Sequence, residues 1–129
     1  MAAMAAIGLM IATGPVAVAN PAPEAPHIPA SAAPRPPAFA PCTACHSTEP
    51  GKTMFGPNLA GLSGRKAASL PGYAYSAALK ASGLVWTAQS LDTWLTSPQK
   101  LVPGTKMPFP GIADPVKRKQ VVDYLLALK

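Results

Sequence analysis

The chain contains few acidic residues. Only five Asp and Glu stand against 11 Lys and Arg, which gives a formal net charge of +6. A surface of this sign suits acidic proteins, nucleic acids or anionic membranes. The basic residues are scattered singly apart from Lys117-Arg118-Lys119, and the glycine and aromatic pattern of a single-strand binder is missing. We therefore expect no nucleic-acid partner, and the charge alone does not choose between the other two.

The chain also contains only two cysteines, Cys42 and Cys45. A disulfide between them would close too small a loop to staple a fold, so their value is chemical rather than architectural. A length of 129 residues suits one domain and is too short for two with separate cores.

Charge is absent from residues 1–19, which end in Ala17-Val18-Ala19, a pattern typical of a signal-peptidase site. We expect cleavage before Asn20. A retained membrane anchor is the alternative, because about 20 apolar residues can span a bilayer. No Arg-rich, Ser-rich mitochondrial targeting pattern is visible. The segment therefore indicates bacterial export to the periplasm, as a soluble protein or one tethered to the inner membrane.

Residues 20–38 alternate Pro and Ala and offer almost nothing to bury. This composition predicts a disordered, polyproline-like linker. His27 lies in it, and we expect this side chain to be solvated and outside any site. From Phe39 onward the composition becomes globular, so residues 39–129 are the predicted domain.

The domain is predicted to be all-α, with short helices at 39–46, 75–80, 88–95 and 115–128 and long loops between them. The last helix has the clearest signals, because Asp114 is a good N-cap and Pro115 fits the first helical position. Apolar residues then recur at helical spacing on one face. No run alternates for long enough to indicate a sheet.

The segment Cys42-Thr43-Ala44-Cys45-His46 has the spacing typical of covalent attachment of c-type haem. Two residues between the thiols allow both sulfurs to reach one porphyrin, and His46 then projects under the iron. A thioredoxin-like dithiol would need a βαβ pattern, which the chain lacks. A zinc site would need four ligands, and only three of the usual kind are available. We predict one covalently bound haem and its iron.

The residue at the sixth position of the iron decides between electron transfer and chemistry on a bound ligand. Met54 lies eight residues after His46 and is expected to be an apolar filler on the histidine side. Met107 lies in a loop stiffened by three prolines and far enough along the chain to reach the other face. A loop ordered in advance reduces the entropy lost on ligation.

Further motifs extend this pattern over residues 39–129: FAPCTACH, FGPNLAGLSGRKA, PGYAYSAALKASGLVW, LDTWLTSPQKLVPGTKMPFPGI and DYLLAL. In order and spacing they resemble the class I cytochromes c, within which they are most similar to the mitochondrial-type and alphaproteobacterial proteins. The resemblance implies short helices and long loops wrapped round one haem. It implies iron held by His46 and Met107, and haem attached through Cys42 and Cys45.

The resemblance also implies supporting roles. The carbonyl of Pro57 would accept a hydrogen bond from His46. Two haem carboxylates in an apolar pocket need donors, and the matching residues are Arg65, Tyr75 and Trp86, with Tyr73, Ser76 and Thr105 as weaker candidates. Trp94 would lie near the Met107 sulfur, where it either donates to the sulfur or packs on the haem face.

The implied function is that of an electron carrier rather than an enzyme, a monomer that shuttles electrons between a bc1-type donor and a terminal oxidase or similar acceptor. A collar of lysines would steer acidic partners to the haem edge: Lys52, Lys66, Lys100 and Lys106. Two alternatives are an electron-transfer subunit of a larger dehydrogenase or reductase, and a haem peroxidase. A peroxidase needs an open sixth position and a distal acid or base, yet the domain contains no second histidine.

The N-terminal helix departs from the family's pattern, in which it is long and packs across the C-terminal helix. Pro41 and the prolines before it predict that this helix is cut to a stub. Phe39 stands three residues before the first cysteine, and we expect its contact with Tyr124 and Leu125 to survive. Leu79 replaces an asparagine of the family's buried polar network.

Overall fold

The structure, a computed structural model, describes residues 34–129. The predicted leader at 1–19 and His27 lie outside the described residues, as does most of the predicted linker. None of the helices in residues 34–129 combines the length and the hydropathy that a membrane span requires.

The described chain folds as short helices joined by long loops. Five helices occur in it: a 3-10 helix at Pro37–Ala44, α1 at Ala77–Ala81, α2 at Ala88–Thr96, α3 at Pro98–Leu101 and α4 at Pro115–Ala127. Four lie close to predicted positions, and α3 was not predicted. Extended pairing in residues 34–129 is confined to one antiparallel bridge between Lys66 and Val85. The predicted all-α class is confirmed.

The N-terminal helix is the expected stub of eight residues, and it adopts 3-10 rather than α geometry. Pro41 lies inside it and has no N–H to donate, which weakens an α-helical ladder there. The helix begins at Pro37, so its first two residues belong to the predicted linker, which ends at residue 38. Phe39 is fully buried, and its ring meets that of Tyr124 edge-on at 4.9 Å between centroids. The predicted Phe39–Tyr124 contact is therefore present.

Helices α2 and α4 pack against each other. Asp114 caps α4 as predicted, because its carboxylate accepts from the backbone N–H groups of Val116 and Lys117. Arg118 Nε donates to Asp92 Oδ1 at 2.7 Å, which ties α4 to α2. The buried faces of the two helices join one apolar core with Phe39.

Candidate functional site

A cavity of about 250 Å³ opens between the 3-10 helix, α2 and the loops, and its walls are mostly apolar. It is lined by every residue that the sequence predicts for the site: Cys42, Cys45, His46, Pro57, Arg65, Tyr73, Tyr75, Ser76, Trp86, Trp94, Thr105 and Met107. These residues are spread over positions 42–107 of the chain, so the fold brings them together.

The two thiols and the imidazole come from one tight turn at the end of the 3-10 helix. The backbone N–H groups of Cys45 and His46 both donate to the Cys42 carbonyl, at 3.1 and 2.9 Å. The thiols are not joined in a disulfide. Burial raises the pKa of Cys42, so this thiol is not a ready nucleophile. The turn therefore presents two free sulfurs and one imidazole to the same cavity.

The orientation of His46 is set by a backbone carbonyl. His46 Nδ1 lies 2.7 Å from the carbonyl oxygen of Pro57, which can only accept, so Nδ1 carries the proton. Burial lowers the pKa of His46, and the bond to Pro57 opposes that shift. The ring is therefore neutral at neutral pH, and the lone pair of Nε2 is free to bind a metal.

Gly56 lets the chain pass against this ring, a role that the sequence reasoning missed. A Cβ on Gly56 would lie 2.7 Å from His46 Cε1 and 2.8 Å from Nδ1. The Gly56 N–H also donates to the Cys45 carbonyl at 2.7 Å. Its position directly before Pro57 is the signal that could have identified it. Glycine here allows the Pro57 carbonyl to reach the imidazole.

The two methionines of the domain have different positions. Met107 is half-buried and lines the cavity. Met54 was expected to be an apolar filler in the domain. This prediction was wrong, because Met54 is 40 % exposed and does not line the cavity. Residues 51–55 all run along the surface, which carries Met54 outward. Met107 is thus the thioether that the cavity offers.

Two polar residues that line the cavity, Arg65 and Ser76, also make hydrogen bonds to the protein backbone. Arg65 donates from Nη1 to the Ala60 carbonyl and from Nη2 to the Asn58 carbonyl, both at 2.9 Å. Ser76 Oγ accepts from the Leu79 N–H at 3.1 Å and caps α1. A guanidinium has five N–H groups and a hydroxyl keeps its own proton, so both residues retain donors for a ligand.

Aromatic residues form the rest of the cavity wall. Tyr73 and Tyr75 meet edge-on at 4.6 Å, and Tyr73 Oη donates to the Phe55 carbonyl at 3.3 Å. Burial raises the pKa of Tyr75, so its phenol stays protonated and is a donor. Trp86 and Trp94 are both buried and meet edge-on at 5.4 Å.

These observations fit an iron porphyrin. The cavity offers apolar walls, paired thiols on one turn, a neutral imidazole with a free Nε2, and one thioether. Among residues 34–129, no three His, Cys, Asp or Glu side chains group together as a metal site built from those residues would require. A flat apolar group that brings its own iron ligands matches this set of donors.

No protein-family model matches the chain. It is 45 % identical over 93 residues to cytochrome c2 iso-2 of Magnetospirillum fulvum, covering 72 % of this chain and 97 % of that protein. It is also 45 % identical over 85 residues to cytochrome c of Euglena viridis, covering 66 % and 83 %. Among solved structures, cytochrome cH from Methylobacterium extorquens is similar, with a TM-score of 0.64 and 54 % identity over 68 % of this chain and 89 % of that one.

Proposed function

The chain belongs to the class I cytochromes c, and from this membership we propose that Cys42 and Cys45 attach its haem while His46 and Met107 ligate the iron. As a member of this family it is an electron carrier with one covalent c-type haem, and not an enzyme. One observation carries the residue assignment: the turn with both thiols and the imidazole opens on the cavity that Met107 also lines.

The protein supplies a fixed set of ligands around a redox centre. The haem contributes an iron that gains and loses one electron. His46 offers Nε2, and its bond to the Pro57 carbonyl fixes the ring and strengthens it as a donor. Met107 offers a soft thioether that favours the ferrous state. The apolar walls exclude water and oppose the extra charge of the ferric state.

The polar cavity residues are suited to hold the haem carboxylates. We assign this role to Arg65, Tyr75 and Trp86, with contributions from the residues proposed on weaker grounds: Tyr73, Ser76 and Thr105. The neutral Tyr75 phenol and the remaining Arg65 N–H groups support the assignment, because they are donors beside an otherwise apolar cavity. Trp94 packs beside Trp86 and completes the wall.

The carrier is proposed to act in the bacterial periplasm, between a bc1-type donor and a terminal oxidase or similar acceptor. The leader-like residues 1–19 support export, and the net charge of +6 supports docking to acidic partners. Two of the proposed collar lysines, Lys66 and Lys106, line the cavity. Lys52 and Lys100 are exposed, and Lys52 pairs with Glu49 at 3.4 Å.

Reversal of charge in the collar is expected to slow electron transfer to a purified terminal oxidase. For the holoprotein with Lys66→Glu and Lys100→Glu, we expect the second-order rate at low ionic strength to fall about tenfold, because electrostatic steering is lost. The difference should shrink as salt is added, since screening removes the steering in the parent protein too. Stopped-flow oxidation of the reduced protein measures this rate.

A control with the same change in net charge separates the effect of lysines at the haem edge from an effect of net charge alone on the rate. Lys80 and Lys129 are exposed and do not line the cavity. The Lys80→Glu and Lys129→Glu double variant is expected to lose much less rate than the collar variant. Equal losses in the two variants, or parent rates that ignore ionic strength, would contradict the collar.

A further inference from the structure

The loop that carries Met107 is held by one side-chain amide. Gln99 Nε2 lies 2.8 Å from the carbonyl oxygen of Thr105 and 3.3 Å from that of Met107. A side-chain amide has two N–H donors, so one group can donate to both carbonyls. The two acceptors belong to Met107 itself and to the second residue before it. The amide of Gln99 therefore holds the backbone from which the Met107 side chain emerges, and this pair of hydrogen bonds is called the Gln99 clamp.

Gln99 reaches the loop from a firmly anchored position. It is the second residue of α3, which begins at Pro98, one of the largest fully buried side chains. The Val102 N–H donates to the Pro98 carbonyl at 2.9 Å, and the Thr105 N–H donates to the Val102 carbonyl at 3.1 Å. The base of the clamp is therefore fixed by burial and backbone bonds.

The loop itself has little backbone support beyond that point. From residue 106 to residue 111, no N–H donates to a backbone carbonyl of the described chain. One other side-chain bond restrains the loop, from Lys106 Nζ to the Ala74 carbonyl at 3.0 Å, and it is exposed. The bond from Gln99 to Thr105 is partly buried, which shields it from competition by water, whereas the longer bond to Met107 is exposed.

We propose that Gln99 is a positioning residue that holds the Met107 thioether at the sixth position of the iron. The inference rests on the proposed ligation of the iron by Met107. A neutral thioether binds weakly, so the order of its loop decides how well it competes with an external ligand. When the clamp is lost, the loop opens more often and the sixth position becomes more accessible.

The test is imidazole binding to the ferric holoprotein, followed through loss of the far-red methionine-to-iron absorption band. For Gln99→Ala we expect the apparent affinity for imidazole to rise about fivefold, as the loss of roughly one net hydrogen bond would produce. Gln99→Glu keeps the shape of the side chain but a carboxylate cannot donate. It should behave like Gln99→Ala or bind imidazole more tightly still.

Gln120→Ala is the matched control, because Gln120 is an exposed glutamine on α4. Its affinity for imidazole should equal that of the parent. Parent-like affinity in both Gln99 variants would overturn the inference while leaving ligation by Met107 intact. A parent protein without the far-red band would instead contradict ligation by Met107, and the inference would fall with it.

Discussion

A Met107→Ala holoprotein is expected to lose the far-red methionine-to-iron band and to have a lower reduction potential. We expect a fall of at least about 0.1 V, a fraction of the roughly 0.8 V over which axial ligands set haem potentials. The thioether is a soft, neutral ligand that favours ferrous iron. When alanine replaces it, water or another hard ligand takes its position and stabilises the ferric state. Spectroelectrochemical titration measures the band and the potential together.

Met54→Ala is the control for this prediction. Met54 is the other methionine of the predicted domain, is 40 % exposed and does not line the cavity. Its replacement is expected to change neither the band nor the potential. A band that survives in Met107→Ala, or one that disappears in Met54→Ala, would show that the sixth ligand has been assigned to the wrong side chain.

A Gly111→Ala variant is expected to be less stable than the parent by at least about 3 kcal/mol, because backbone strain and a clash with fixed atoms act together. Gly111 has a φ of +109°, a conformation that L residues rarely adopt. A Cβ there would overlap the backbone carbonyl of Thr96 and lie 3.2 Å from that of Leu95. The Ile112 N–H donates to the Leu95 carbonyl at 2.7 Å, so the backbone at Gly111 cannot easily move away from the end of α2.

Gly61→Ala is the control, because it introduces the backbone strain of a positive φ without a steric clash. Gly61 also has a positive φ, +63°, but a Cβ there would meet no atom within 4 Å. Its replacement should cost only about 1–2 kcal/mol, the penalty for a left-handed residue. Denaturant unfolding of the two holoproteins gives the comparison. Equal losses of stability would contradict a role for the contact between Gly111 and the end of α2.

Local signals made some of the fold predictable from the sequence. Asp114 and Pro115 mark the start of α4, and the structure begins the helix there. Pro41 predicted a short N-terminal helix, because a proline has no N–H for the ladder. These features depend on neighbouring residues alone. The attachment motif is equally local, and its three side chains line one cavity.

Other features depend on the path of the backbone in space, which no local pattern reveals. Helix α3 has only four residues, too few for an apolar period to show. The clamp by Gln99 depends on where the carbonyls six and eight residues later come to lie. Met54 was misplaced for the same reason, because its apolar side chain indicated burial while the loop carries it to the surface.

The Arg65 guanidinium has one role that the family resemblance implies and another that only the structure reveals. The resemblance assigns this residue to the haem carboxylates. The structure shows that two of its N–H groups hold the loop carbonyls of Asn58 and Ala60. The guanidinium has enough donors for both roles. The sequence could suggest a polar role at the cavity, whereas the hydrogen bonds that fix the side chain depend on where the loop carbonyls lie in the fold.

Covalent attachment of the haem by Cys42 and Cys45 is tested by extraction with acidified organic solvent. The purified holoprotein is extracted, and a pyridine haemochrome spectrum is recorded on the protein fraction. We predict that the colour stays with the protein and that the spectrum is that of a haem with two thioether bonds. Colour that passes into the solvent, with the haemochrome spectrum of an unattached haem, would show that these cysteines do not hold the haem.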